Sequence, residues 1–409
     1  MKTRAALALA TLGGRATSAT VLALAVLLGC DGAVMDVSPE EAAGTETPRT
    51  PAETLADPEP DLSLSDVDAD AAYAYASRLA PILVRRALLE DELALVETEG
   101  GGAIRPLVEA WTSEPGFETA AREMISLKLG ASGRTDVIDL DLLGNLAAYL
   151  VRERLPVADL LRADYCVDEN GATIACDTGA PYAAGVLTTR AFLTGNEGRF
   201  NLKRARTMMR TFACLDYPMG DEVQPRLPRE SLLPMFQARS PDEQEDVRAL
   251  AGFGNGFACY DCHGQFGAHA QLFVKFDRDG LFHPDATGQQ DPDGELGRSF
   301  DGLLTSHMLD PAQAADESSL MFGREVRNLP DAVAILTADP AFLSCSTRTL
   351  LGFGFGLADS VATAVPATVV DRIVARAVAQ EAEPSFATLA IETFADPSVV
   401  DAVVGGEMP

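Results

Sequence analysis

Apolar residues recur at helical spacing through most of the chain after residue 70. One apolar helix face is formed by Leu143, Leu146, Ala147, Leu150 and Val151. Pro156 follows it and ends the predicted helix. A second such face comes after Pro366 and is formed by Val370, Ile373, Val374, Ala377 and Val378. More helix-length segments lie between these two, separated by Gly and Pro. The pattern predicts a mainly α-helical fold.

One stretch breaks the helical rhythm and predicts a short β-hairpin over 164–178. Asn170-Gly171 stands there between two short runs that contain apolar residues, and this dipeptide is typical of a tight hairpin turn. Cys166 and Cys176 flank the turn almost symmetrically. In an exported protein they would close as a disulfide, and the alternative is a pair of reduced thiols in a loop.

The first 29 residues have the pattern of a signal peptide. Lys2, Arg4 and Arg15 precede the short apolar run VLALAVLL, which is too short to span a membrane. The following LLGC, which ends at Cys30, resembles a bacterial lipoprotein box. The resemblance implies cleavage before Cys30 and a lipid on that cysteine, so that the chain is anchored to a membrane of the bacterial envelope and faces the periplasm or the exterior. The alternative is an ordinary secretory signal with a chance cysteine.

Residues 30–70 are acidic and rich in proline. Within 31–70 the only base is Arg49, among many Asp and Glu residues and five prolines. Such a stretch cannot bury enough apolar surface to offset the entropy lost on ordering, so it predicts a disordered tether. The alternative is a small acidic domain. The whole chain has a formal net charge of −29, which argues against nucleic-acid binding and favours a basic partner.

The strongest chemical signal is CYDCH, which places Cys259, Cys262 and His263 at C-x-x-C-H spacing. This is the attachment signature of c-type haem. The two thiols would bind the vinyl groups of one haem, and the imidazole would be the proximal ligand of the iron. Two alternatives stay open: a C-x-x-C thiol–disulfide pair, and part of a zinc site, although the sequence lacks a second close Cys/His pair.

Several residues are candidates for the sixth iron ligand. Met308 lies downstream of the motif, where small c-type cytochromes supply methionine, and is the first candidate. The alternatives are an open or water-bound position or one of Met321, His307 and His283. His269 is too close in sequence to the proximal histidine to reach the opposite haem face. We expect it to line the pocket or bind water.

The remaining cysteines suggest a second disulfide. With Cys30 lipidated, two cysteines on haem and Cys166 paired with Cys176, the last two are Cys214 and Cys345. Such a bridge would tie the helix before the haem segment to one after it.

Several segments together resemble one protein family. They are KRARTMMRTFAC, CYDCHGQFGAHAQLFVKFDRDG, FDGLLTSHML and FLSCSTRTLLGFGFG, in this order. Over about residues 185–400 the chain resembles the cytochrome-c-like exported proteins of planctomycetes and myxobacteria, a multi-domain family of unknown function. The resemblance places Cys214 and Cys345 on cysteines of the family, and it implies a haem segment but no defined reaction.

The predicted organisation follows from these features. It comprises a lipoprotein signal peptide (1–29), an acidic disordered linker (30–70), an N-terminal helical region with the hairpin (71–184), a helical region (185–254), a cytochrome-c-like haem segment (255–365) and C-terminal helices (366–409).

The sequence predicts an envelope-anchored c-type cytochrome lipoprotein with one covalent haem c, which exchanges electrons with a redox partner protein. One alternative is a haem-dependent oxidoreductase with an open sixth position, for which His269 is the nearby acid–base candidate. The other is a haem-free envelope lipoprotein that acts as a scaffold or binds a partner. Whether the protein is an enzyme is therefore left open by the sequence.

Overall fold

Amphipathic segments form helices where their apolar spacing predicts them. The computed structural model describes residues 63–197, 201–216, 269–284, 317–356 and 365–405. All of these belong to one compact unit, Ser38–Pro409, and the second unit, Met1–Val37, lies outside the described residues. Within the described ranges the fold is mainly α-helical with two small antiparallel strand pairs, which confirms the predicted mainly α class.

The chain up to the first strands forms six α-helices in the described part. These are α1 (Ala69–Leu83), α2 (Glu90–Glu99), α3 (Ile104–Trp111), α4 (Pro115–Leu129), α5 (Leu142–Arg152) and α6 (Asp159–Arg162). Short 3₁₀ helices cover Leu64–Asp66 and Gly100–Ala103. The described residues of the predicted tether, 63–70, therefore contain a 3₁₀ turn and the start of α1. The rest of that tether lies outside the described residues.

The later described segments continue this pattern. They form β1 (Cys166–Val167), β2 (Thr173–Ile174), α7 (Arg190–Gly195), α8 (Leu202–Phe212), β3 (Ser319–Met321), β4 (Arg324–Val326), α9 (Leu329–Ala338), α10 (Pro340–Phe355), α11 (Ala367–Gln380), α12 (Phe386–Phe394) and α13 (Pro397–Val404). The two helices predicted from apolar faces are α5 and α11. Pro366 stands at the N-cap of α11, as its position in the sequence predicts.

The predicted hairpin is present as β1 and β2. Its register pairs Cys166 with Ile174, and the turn glycine, Gly171, has a φ of +75° that favours a residue without a Cβ. Cys176 therefore lies two residues beyond the partner of Cys166, so the two cysteines are not opposite each other in the ladder. They are nevertheless joined, with an S–S distance of 2.12 Å.

Helix α10 contacts five other helices of the core. It packs against α1, α8, α9, α11 and α12. The contact with α12 is close at Gly354, where an added Cβ would lie 2.6 Å from the ring of Phe394. A larger residue there would push the two helices apart. Among the described residues, no helix is both long and apolar enough to cross a bilayer.

A buried carboxylate in the first turn of α2 is bonded to Arg86, which precedes α2, and to the end of α3. Glu92, at 8% exposure, accepts two hydrogen bonds from Arg86 at 2.7 and 2.8 Å. It also accepts one from Trp111 Nε1 at 2.7 Å and one from the Leu89 backbone N–H at 2.7 Å. Burial alone would raise the pKa of Glu92, but these hydrogen bonds outweigh it and hold the pKa at about 2.

This arrangement predicts an acid-labile contribution to stability. The pKa of Glu92 is depressed when folded, so its contribution is fully present above the unfolded-state value near 4.3 and is lost as the pH falls toward about 2. The shift corresponds to about 3 kcal/mol. Glu92→Gln should lower stability at pH 7 and flatten the pH dependence between about pH 5 and 2. Trp111, the only tryptophan, reports unfolding by fluorescence.

A suitable control is Glu90→Gln, which removes an exposed carboxylate from the first turn of the same helix. The control should keep the wild-type loss of stability in acid. Equal pH profiles for wild type and Glu92→Gln would contradict the assignment.

Candidate functional site

The residues predicted to bind haem lie outside the described part of the chain. These are Cys259, Cys262, His263, Met308 and His307; the predicted lipidation site, Cys30, also lies outside it. The described structure resumes at His269, six residues after His263. The described segment that follows the motif in sequence is residues 269–284, which we call the arm.

The first half of the arm belongs to the protein core. Every residue from 269 to 276 is buried, including His269 at 1% exposure. The Phe273 ring lies 6.0 Å from Phe192 of α7, and the Phe276 ring lies 6.4 Å from Tyr182 in an edge-on arrangement. His269 is therefore a buried residue of the core, and its expected role of lining the haem pocket or binding water stays a prediction.

A buried arginine binds the backbone of the arm. Arg204, on α8, is 0% exposed and donates to two carbonyl oxygens of the arm, Phe276 O at 2.9 Å and Asp277 O at 2.6 Å. It also donates to Leu193 O of α7 at 2.9 Å and to Asn201 Oδ1 at 2.8 Å. Burial lowers the pKa of Arg204 to about 10, so the side chain is still a cation at neutral pH.

Asn201 adds a second attachment at the start of α8. Its Nδ2 donates to Phe273 O at 3.2 Å, while its Oδ1 accepts from Arg204. The backbone of Asn201 has a φ of +56°, a left-handed conformation that asparagine tolerates better than most residues. The Asn201 side chain therefore links the arm to Arg204, and its left-handed backbone conformation is one that asparagine tolerates.

The second half of the arm is a loop held by side chains. His283, whose side chain is 52% exposed, is bonded through Nε2 to Asp277 Oδ2 at 2.6 Å. Lys275 Nζ donates to Pro284 O at 2.6 Å. The Tyr182 hydroxyl donates to Glu317 Oε1 at 2.5 Å. Glu317 is the first residue of the next described range. In this structure the Nε2 of His283 is therefore bonded to a carboxylate, and binding of iron by His283 stays a prediction.

Met321, the other described candidate for the sixth ligand, lies in β3. It is fully buried and is paired across the strands with Arg324. It is a member of the hydrophobic core, in the small sheet that packs on α9. The structure thus gives Met321 a packing role, and its service as a ligand stays a prediction.

Both predicted disulfides are present. In addition to the hairpin pair, Cys214 and Cys345 lie 2.12 Å apart at sulfur. Cys214 follows directly after the C-cap of α8, and Cys345 is a buried residue of α10. The bridge therefore ties the end of α8 to α10, as predicted from the cysteine count and the family resemblance.

The basic run KRARTMMR in α8 separates into two groups. Arg206 and Arg210 form ion pairs with Asp216, and Lys203 donates to the Gly195 carbonyl. Arg204 instead points into the core. Helical spacing indicates the burial of Arg204, because it places Arg204 on the same helix face as the apolar residues Ala205, Met208, Met209 and Phe212, which are buried.

The described residues contain no group of three His, Cys, Asp or Glu side chains that could hold a metal ion. Chemically, this part of the chain can position the polypeptide on the carboxyl side of the C-x-x-C-H motif through neutral backbone oxygens and one buried cation. No protein-family model, curated protein or solved structure matches the chain.

Proposed function

We propose that this protein is a c-type cytochrome lipoprotein of the bacterial envelope, which carries one covalent haem c and transfers electrons. The proposal rests on the C-x-x-C-H motif, together with the signal-peptide pattern predicted for residues 1–29. Cys259 and Cys262 would hold the haem by thioether bonds, and His263 would be the proximal ligand. When bound, the haem would supply a one-electron Fe(III)/Fe(II) couple.

The pairing of the other cysteines supports this proposal. The four cysteines of the described residues pair with one another, and Cys30 is the predicted lipid site. Cys259 and Cys262 are then left for haem or for each other. Two disulfides are also expected in the oxidising compartment in which covalent haem attachment takes place.

The chain's own residues suggest how a partner would be selected. A formal charge of −29 would attract a basic protein and raise the rate of encounter at low ionic strength. Met308 is retained as the first candidate for the sixth ligand. The membrane attachment would come from the lipid on Cys30, followed by the acidic linker.

Absorption spectroscopy tests the proposal on protein expressed with a cytochrome c maturation system. We expect a reduced pyridine haemochrome of haem c, absent from Cys259→Ala/Cys262→Ala. The matched control, Cys166→Ala/Cys176→Ala, replaces the same number of cysteines and should keep the haem. A low-spin six-coordinate native spectrum supports electron transfer, whereas a high-spin spectrum would favour the oxidoreductase. Absence of haem from the wild type would refute the proposal and leave the scaffold.

A further inference from the structure

The hydroxyl of Tyr182 is bonded to the carboxylate of a residue far away in the sequence. Tyr182 lies between β2 and α7, and Glu317 lies just before β3, 135 residues further along the chain. The hydroxyl donates to Glu317 Oε1 at 2.5 Å. Distances of about 2.5 to 2.7 Å are typical of hydrogen bonds from a hydroxyl to an ionised oxygen, which are stronger than bonds between neutral groups. The phenolic proton therefore already faces an oxygen that can accept it.

This bond distinguishes Tyr182 from the other described tyrosines. The described residues contain five tyrosines, which are Tyr73, Tyr75, Tyr149, Tyr165 and Tyr182. Within this part of the chain, only the Tyr182 hydroxyl donates to a carboxylate. The Tyr75 hydroxyl donates to a backbone carbonyl, Phe394 O, at 2.7 Å, and a neutral carbonyl is a poor base. The combination of a phenol with an adjacent base therefore occurs at one described position.

Two phenylalanine rings contact the ring of Tyr182. The Phe282 ring lies 5.8 Å away and the Phe276 ring 6.4 Å away, both edge-on, and these two rings lie 5.5 Å from each other. Tyr182 is half-buried and packs against the hydrophobic core. The phenylalanine rings carry no group that competes for the phenolic proton, and they shield this side of Tyr182 from molecules in solution. Glu317 is therefore the acceptor that the surroundings of Tyr182 provide.

The chemistry of a phenol explains what such an acceptor can do. Burial and the bond to Glu317 raise the pKa of the Tyr182 hydroxyl, so the phenol keeps its proton at neutral pH. Loss of an electron from a neutral phenol makes its hydroxyl a strong acid. Oxidation is therefore easiest where a base takes the proton as the electron leaves. Glu317 Oε1 lies within the hydrogen-bond distance that a general base requires.

We propose that Tyr182 and Glu317 form a redox-active tyrosine site, which donates one electron to a strong one-electron oxidant. In this step an electron passes from the Tyr182 ring to the oxidant, which is reduced by one electron. The phenolic O–H bond breaks, and its proton forms an O–H bond with Glu317 Oε1. The products are a neutral tyrosyl radical and a protonated Glu317, and return of the electron and the proton restores both side chains. The site goes beyond the proposed haem function and does not depend on it.

Electron paramagnetic resonance tests the proposal on the full chain, after oxidation by photogenerated tris(bipyridine)ruthenium(III) and rapid freezing. Tyr182→Phe keeps the ring and its packing but removes the hydroxyl. Glu317→Gln keeps an acceptor oxygen for the hydroxyl but removes the base. The matched control, Tyr75→Phe, removes a hydroxyl that donates to a neutral carbonyl. A second control, Tyr73→Phe, removes the hydroxyl of a tyrosine that is 52% exposed.

We expect the wild type to give a tyrosyl radical signal that is lost in Tyr182→Phe and largely lost in Glu317→Gln, while both controls keep it. A wild-type signal in either test variant would overturn the inference. Loss of the signal in Tyr73→Phe, or a tryptophan radical in place of a tyrosyl radical, would also overturn it. The readout is a radical of the polypeptide, so these outcomes leave the haem proposal standing, and absence of haem from the wild type would refute that proposal alone.

Discussion

Replacing Cys214 and Cys345 together by alanine should lower the free energy of unfolding by about 5 kcal/mol. The bridge joins residues 131 apart in sequence. In the chain-entropy account, a cross-link of this length removes much freedom from the unfolded state, and about 5 kcal/mol is the corresponding loss. Denaturant unfolding under oxidising conditions, followed by circular dichroism, would measure it.

The hairpin disulfide provides the comparison for this prediction. Cys166 and Cys176 are only 10 residues apart, so the same account gives a loss of about 3 kcal/mol for Cys166→Ala/Cys176→Ala. The long-range bridge should therefore be the more important of the two. A larger loss for the hairpin pair would contradict this ranking and indicate that local contacts dominate.

Replacing Glu392 by alanine should cost about 3 kcal/mol. Glu392, on α12, is 0% exposed and accepts from Arg105 of α3 at 2.8 and 3.1 Å, and from Arg376 of α11 at 2.8 Å. Burial would raise the pKa of this carboxyl, but the two arginines outweigh it and lower the pKa. Removal of one partner of a buried ion pair typically costs 3–5 kcal/mol, and the roughly one-third exposure of both arginines favours the lower end, about 3 kcal/mol.

The control for Glu392 uses the same arginine. Glu109 also pairs with Arg105, at 3.8 Å, but its side chain is 51% exposed. Exposed pairs contribute little, so Glu109→Ala should change the free energy of unfolding by about 0.5 kcal/mol or less. Equal effects of the two substitutions in denaturant unfolding would show that the buried carboxylate does not organise α3, α11 and α12.

Local sequence patterns predicted the local parts of this fold. The apolar spacing that ends before Pro156 gives α5, and the run after Pro366 gives α11. The Asn170-Gly171 turn produces the hairpin, since its geometry depends on adjacent residues. The exact register, with Ile174 rather than Cys176 opposite Cys166, was not evident from the flanking cysteines alone.

Long-range polar contacts were not predictable in the same way. Arg204 reaches the Phe276 carbonyl 72 residues away, and Arg105 reaches Glu392 across 287 residues. Helical periodicity tells which face is buried but not which distant oxygen will meet a buried cation. An arginine on an otherwise apolar face was the available signal, and it indicated burial without naming the partners.

For the candidate haem site, the sequence predicts the binding residues and their chemistry but not their tertiary contacts. C-x-x-C-H specifies two thiols and an imidazole at the spacing that haem requires, independently of tertiary structure. The attachment of the following arm to α8 depends on contacts that no short motif encodes. Cys259, Cys262 and His263 therefore remain predicted haem-binding residues, and they lie outside the described part of the chain.

Intact mass spectrometry of the wild type, expressed with the maturation system and kept non-reduced, is the most direct test of the central claim. We expect the mass of one haem added to each chain, with the Cys166–Cys176 and Cys214–Cys345 disulfides intact. After digestion, the added mass should lie on the peptide that contains Cys259 and Cys262. A chain without added mass, in which Cys259 and Cys262 are oxidised to each other, would contradict the cytochrome account.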